Sequence, residues 1–156
     1  MKRALFPDAS TFSASIGFLI LRIIAGAAMA QHGWAKVGSD GGAFGWMGPG
    51  ASTPGLLQGL ATLSELGGGL ALVFGFLTPL AMLGWVCTMG YAVYFLMSKG
   101  APWIAAKPTD PSWESALGYL GIAIAFLLAG PGRYSVDQLL LSRRAPKGQI
   151  RAGTDL

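Results

Sequence analysis

Five polar side chains stand where the surrounding sequence is apolar. Arg22, Gln31, His32 and Lys36 interrupt the run IGFLILRIIAGAAMAQHGWAK at residues 16–36, and Glu65 interrupts a second run. At about 100° per residue, Arg22, Met29 and Lys36 fall near one line of a helix, with His32 on its shoulder. A charge inside so long an apolar run asks for a partner or a task. A cationic side chain can hold a carbonyl or an anion, a histidine can exchange a proton near neutral pH, and a carboxylate can orient either. One reading is a polar pocket between the first two helices that binds a redox-active or acidic small molecule. The other is a structural Arg22–Glu65 pair that fixes helix register, because breaking such a pair strands a buried charge.

Further residues could serve the same pocket. Gly68 and Gly69 lie one turn from Glu65 on its own face, where small residues permit close packing or ligand access. Tyr91 and Tyr94 are a turn apart on a third apolar run; they read as packing residues seeking hydroxyl partners, or as the lining for a flat ring. Lys36, at the outer edge of the first run, could equally extend its ammonium to the membrane surface. His32 is the only histidine and has no Cys, His or carboxylate cluster near it in sequence, so no metal site is expected.

The elements that must position these residues are membrane spans. Charged residues make up 12% of the 156-residue chain, against about 25% in soluble domains, and mean hydropathy is +0.53. Four runs are predicted to cross a bilayer, at about 16–37, 56–76, 79–97 and 113–130, each near the roughly 20 residues required, the last the shortest. Residues 1–15 form a short polar arm before the 16–132 helical domain. They separate Lys2 and Arg3 from a first run too long for a signal-peptide core, so that run is expected to be retained. Pro79 suits the first turn of a helix, and Gly130-Pro131-Gly132 is a strong stop. Beyond it, Ser135 and Gln138 have capping-box spacing ahead of Leu139–Leu141, which predicts a short amphipathic C-terminal helix in a basic tail, 133–156. The fold class is therefore all-α: an antiparallel four-transmembrane-helix bundle.

Charge placement orients it. The two termini carry Lys2, Arg3, Arg133, Arg143, Arg144, Lys147 and Arg151, whereas the two long loops and their border carry only Lys36, Lys99 and Lys107. The positive-inside rule then makes both termini cytoplasmic in a bacterial-type inner membrane, with Trp34, Trp46, Trp103 and Trp113 as an outer aromatic belt. In that topology Glu65 lies about 9 residues, roughly 13 Å, below the outer surface, level with Ala28 or Met29. Glu114, at the start of the fourth run, and Asp137, in the first turn of the tail helix, suit helix N-termini. Cys87 is the lone cysteine, so there is no disulfide or CxxC pair. No phosphate-binding glycine loop, nucleophile elbow or paired haem-ligand histidines occur. The basic tail fits anionic lipid better than nucleic acid.

Three motifs in order resemble the DoxX family. Arg22 and Gly26 followed by His32-Gly33-Trp34-Ala35-Lys36-Val37 is similar to its first helix. Glu65-Leu66-Gly67-Gly68-Gly69 with Gly75 is similar to its second, and Gly130-Pro131-Gly132-Arg133-Tyr134-Ser135-Val136-Asp137 to its terminal GPG-x-x-S-x-D signature. The resemblance implies a four-helix integral membrane protein linked to membrane redox chemistry, as in the quinone-reducing subunit of a thiosulfate:quinone oxidoreductase and in complexes handling thiol stress. It carries Arg22, His32, Lys36 and Glu65 onto the family's recurrent polar positions. The absence of a cysteine pair speaks against direct thiol–disulfide exchange here.

Together these features describe a membrane oxidoreductase subunit that binds a quinone. Arg22, His32 and Glu65 would be catalytic, and Gln31, Lys36, Gly68, Tyr91 and Tyr94 would line the ligand. A partner protein subunit would supply the electrons. The alternatives are a non-catalytic accessory or assembly subunit of a larger membrane complex, docking through its aromatic outer loops, and a small-solute transporter.

Overall fold

The computed structural model describes residues 12–144, with side chains to residue 140. Four long helices are present: α1 (Phe12–Val37), α2 (Gly55–Phe74), α3 (Thr78–Ser98) and α4 (Glu114–Ala129). A nine-residue helix follows, α5 (Val136–Arg144). The first three are long and apolar enough to cross a membrane. The fourth is apolar but has only 16 residues, about 24 Å at 1.5 Å per residue. Lys2, Arg3, Lys147 and Arg151, and the side chains of Arg143 and Arg144, lie outside the described residues.

The bundle is built with its polarity turned inward. Large apolar side chains such as Ile24, Leu56, Leu63, Leu80 and Leu128 face outward, and Leu128 is 84% exposed. Arg22, Gln58, Thr62, Glu65 and Thr78 are buried instead, beside a core of Met29, Leu72, Met82, Trp85 and Phe126. In water that outer surface would be an aggregation liability, whereas hydrocarbon solvates it. The chain is a helical membrane bundle.

The helix ends follow local chemistry. The first helix starts at Phe12, inside the predicted polar arm. The second ends at Phe74, two residues early, because Gly75 takes the left-handed conformation (φ 63°) that closes the helix. A Cβ there would collide with the Arg22 guanidinium and the Ser135 side chain, so this position needs glycine for space as well as for φ. The third begins at Thr78, with Pro79 in its first turn as expected. Ser135 accepts a hydrogen bond from the Gln138 amide at 3.2 Å, so the predicted cap starts α5.

Small residues set the register of α1 against α2. A Cβ on Gly26 would lie 2.7 Å from the Gly69 carbonyl oxygen, and one on Gly69 would lie 2.6 Å from the Ala30 nitrogen. Gly33 abuts the Leu66 backbone in the same way. Backbones in direct contact leave no room for a ligand. At Gly26, Gly33 and Gly69 close packing is therefore the use realised.

Candidate functional site

The register places Glu65 higher than equal helix ends would suggest. With Gly33 against Leu66 and Gly26 near Val73, Glu65 lies opposite 33–36 rather than Ala28 or Met29. The reason is that α2 begins about two turns, roughly 10 Å, beyond the end of α1. The extra turns are covered by the loop at 38–54, which folds back on them.

That loop is held by one buried glutamine. Gln58 (4% exposed) donates from Nε2 to the Thr53 carbonyl at 2.9 Å and accepts from the Met47 amide at 3.0 Å. Its own carbonyl accepts from the Trp46 indole at 3.3 Å. Thr62 donates to the Ala43 carbonyl at 3.1 Å, and Phe44 covers the bare backbone of Gly59. The result is a lid with Trp46 on its underside.

Under the lid, Lys36 reaches down from the end of α1. Its Nζ lies 2.5 Å from Glu65 Oε1 and 4.1 Å from the centre of the Trp46 ring. A cation thus sits between a carboxylate and an aromatic face, and its side chain is 18% exposed. Glu65 itself is 3% exposed, and its second oxygen, Oε2, is buried with no hydrogen-bond partner among the described residues. A buried carboxylate oxygen without a donor is costly, so this atom marks where a donor belongs.

Glu65 and Lys36 form part of the wall of a cavity of about 480 Å³ between α2 and α3. Trp46 and Thr53 close its outer end, while Leu57, Tyr91 and Phe95 supply apolar and aromatic wall. The Tyr91 hydroxyl shares a 2.8 Å hydrogen bond with Thr53 Oγ1. The size and the chemistry, mostly apolar with a few convergent polar groups, suit a small organic ligand.

Of the residues singled out in the sequence, this cavity gathers Lys36, Glu65 and Tyr91. Arg22 is elsewhere: buried at 2% exposure, it donates to the Pro131 carbonyl at 2.9 Å and the Tyr134 carbonyl at 2.5 Å. No Arg22–Glu65 pair forms, because Arg22 is level with the α2–α3 turn while Glu65, midway along α2, is level with the far end of α1. His32 is exposed, its ring 6.0 Å from Tyr119 in an edge-to-face contact with α4, and Gln31 is exposed beside it. Tyr94 is 69% exposed on the outer face of α3, away from the cavity. Gly68 lies beneath the Trp85 indole, which donates to the Ser64 carbonyl at 3.0 Å. Among the described residues, no group of three His, Cys, Asp or Glu side chains could hold a metal.

Sequence reasoning missed Gln58, Thr53 and Trp46 as parts of the site. A signal existed for the first. Gln58, Thr62 and Glu65 are spaced 4 and 3 apart, one continuous polar stripe on an apolar helix.

Comparison with known proteins agrees with this architecture. A family model described as DoxX matches residues 17–98. The inner membrane protein YqjF of Escherichia coli (strain K12) is 32% identical over 128 residues, which are 80% of this chain and 92% of that protein. No solved structure matches the chain.

Proposed function

The chain belongs to the DoxX family, and from that premise and the orphaned Glu65 oxygen we propose a membrane-bound oxidoreductase subunit that binds a quinone or quinol beneath the lid. Like YqjF, it would reside in the inner membrane, with both termini cytoplasmic as charge bias indicates.

The residues present fit such a group. A quinol hydroxyl would donate to Glu65 Oε2, supplying the partner that atom lacks. Lys36 retains N–H donors beyond the one aimed at Oε1, and these suit a ring carbonyl oxygen. Tyr91 can give or accept a hydrogen bond as the ring changes protonation, and Trp46 provides a flat apolar face. When bound, the quinone supplies two-electron, two-proton redox chemistry. Glu65, held by Lys36, is placed to take or return a proton at the hydroxyl, and the lid keeps bulk water from that oxygen. Electrons would come from a partner subunit. Within this proposal Arg22, His32, Gln31 and Tyr94 lie outside the binding cavity.

The observation that carries the reading is that Glu65, whose Oε2 is buried and without a hydrogen-bond partner among the described residues, belongs to the cavity wall. Binding of a short-chain benzoquinol to the purified protein in lipid nanodiscs tests it. Glu65→Gln and Tyr91→Phe should each weaken binding by about tenfold, as loss of a hydrogen bond to a charged or buried group does. Unchanged affinity in both variants would sink the proposal.

A second reading, an accessory subunit, has one observation in its favour. Trp103 and Trp113 stack with ring centres 5.5 Å apart and planes 8° from parallel, and Trp103 and the adjacent Ile104 are 57% and 65% exposed. A rigid aromatic platform of that kind could seat a larger membrane complex. Stoichiometric co-purification of a partner, lost on Trp103→Ala, with no quinol binding, would favour this reading over the first.

A further inference from the structure

The cavity does not end at Glu65. A second hollow of about 570 Å³ runs on between α2 and α3 toward their connecting turn, and Leu60, Cys87 and Thr88 line both spaces. Its floor is made of small residues: Gly67, Gly68 and Ala71 on α2, with Ala81 and Gly84 on α3. From Leu60 to Ala71 it extends roughly 16 Å along the helix axis, at 1.5 Å per residue. The two spaces differ in chemistry. Both present mostly apolar surface, but the outer one has the Lys36–Glu65 ion pair and Tyr91 in its wall, whereas the inner one has no charged side chain, only Ser64, Thr88 and Cys87 among apolar residues.

A mostly apolar chamber with an ion pair in its wall, adjoining a long trough without charge, calls for a ligand with a polar end and an apolar remainder. We infer that the natural ligand is a long-chain amphiphile whose polar ring sits at Glu65 and whose hydrocarbon chain lies in the α2–α3 trough, passing Cys87. The inference rests on the binding site proposed above and extends it from a ring to a ring with a tail. The shared lining of Leu60, Cys87 and Thr88, which sets the two spaces side by side, selects this occupant over a neighbouring helix. A chain tethered by its ring reaches the trough from within, while a packing helix would bury the trough and leave the chamber unfilled. In the membrane the chain exchanges lipid contacts for protein contacts, so it gains from packing and from tethering rather than from leaving water.

The single cysteine is a built-in reporter at the junction. The full chain in nanodiscs would be titrated with a decyl-substituted benzoquinol and with the same ring bearing only a methyl group, at equal bilayer concentrations. Alkylation of Cys87 by N-ethylmaleimide would be followed alongside. The decyl compound should bind about fivefold tighter than the methyl compound and slow alkylation about as much, a modest gain because lipid already solvates the chain. Ala71→Phe, which fills the trough, should abolish both differences while leaving methyl-compound binding unchanged. Gly67→Leu gives the same test if the first variant fails to fold; its Cβ would meet the end of the Leu63 side chain at 3.3 Å. Equal affinities, no protection of Cys87, or a chain advantage that survives the trough-filling variant would each overturn the inference. If methyl-compound binding still depends on Glu65 in those cases, the ring site stands and only the chain assignment falls. If neither compound responds to Glu65→Gln, the ring site itself is wrong and the chain assignment falls with it.

Discussion

Asp137, in the segment that follows the fourth helix, holds Leu77 in a left-handed backbone conformation by accepting its amide hydrogen at 2.8 Å. The other carboxylate oxygen accepts from the Thr78 amide at 2.9 Å, so a residue from the far end of the chain caps α3. Its own amide donates to the Gly75 carbonyl at 2.9 Å. The sequence pointed to Asp137 as an anion for its own helix, but the carboxylate serves another one. Asp137→Ala should lower stability by about 1–2 kcal/mol, the usual cost of losing a cap. Leu77→Gly should lose no stability from backbone conformation, because an L-residue at φ 49° already carries about 1–2 kcal/mol of strain that glycine does not. Unfolding in mixed micelles checks both, and an unaffected Asp137→Ala protein would remove the capping account.

Arg22 secures the same segment from below. Its guanidinium gathers the Pro131 and Tyr134 carbonyls, which Gly130 and Gly132 turn inward with φ of 76° and 82°. Arg22→Met removes the charge and leaves two carbonyls without their donor, at about 1.5–3 kcal/mol for each charge-assisted bond. Stability should therefore fall by several kcal/mol, while quinol affinity of the folded fraction stays unchanged. A specific loss of affinity with stability intact would return Arg22 to the binding site.

How much of this was legible in the sequence can be traced residue by residue. The first three spans, the Pro79 helix start, the Gly130 stop and the Ser135 cap each depend on neighbours within a few positions and emerge as expected, while the fourth run forms an apolar helix of only 16 residues. The partner of Glu65 depends on how far α2 slides along α1. Assuming level helix ends put Glu65 beside Met29, about a turn and a half too deep. The slide is set by Gly26, Gly33 and Gly69 meeting opposing backbone, and sequence spacing names the glycines without saying which faces which. The sequence pairs Arg22 with a carboxylate, yet two backbone carbonyls more than a hundred residues away hold its terminal nitrogens. In the sequence the lid reads only as an aromatic, glycine-rich loop, since its fold depends on Gln58, Thr62 and Tyr91 of the helices it covers.

That glycine contact makes its own prediction. Gly69→Leu would force a side chain against the Ala30 backbone, where not even a Cβ fits and no flexible group can yield. Overpacking of this kind costs about 1–3 kcal/mol or more, and here both helices must separate. The variant should accumulate poorly in membranes, whereas Gly90→Leu, at a glycine with open space around it, should accumulate normally. Equal accumulation would mean that the α1–α2 register does not depend on this crossing.

Gln58 should control entry to the cavity. Replacing it with leucine removes two side-chain hydrogen bonds that hold Met47 and Thr53, and leaves their backbone groups to find other partners. At about 1 kcal/mol for each ordinary hydrogen bond, lid opening should become roughly thirtyfold more frequent. A polar maleimide added on the lid side of the membrane should then reach Cys87 faster by a similar factor. An unchanged alkylation rate would place the entrance elsewhere, along the lipid-facing edge of the trough.

Lys36 and Glu65 provide the sharpest separation of structural from binding roles. Lys36→Met alone leaves a buried carboxylate without its cation, and Glu65→Gln alone leaves the ammonium with a neutral amide oxygen and the Trp46 face in place of its counter-charge. Either should cost about 3–5 kcal/mol, as breaking a buried ion pair does, while the double replacement by residues of similar shape should recover most of that loss. Stability alone would therefore make the pair dispensable as a unit. Quinol binding should behave differently. In the double variant the carboxylate acceptor is still missing, replaced by a weaker neutral amide, so affinity should remain depressed even where stability returns. Comparing the four proteins by unfolding and by quinol titration separates the two roles. Recovery of both quantities together in the double variant would make the pair purely structural, whereas recovery of stability alone assigns it to the ligand.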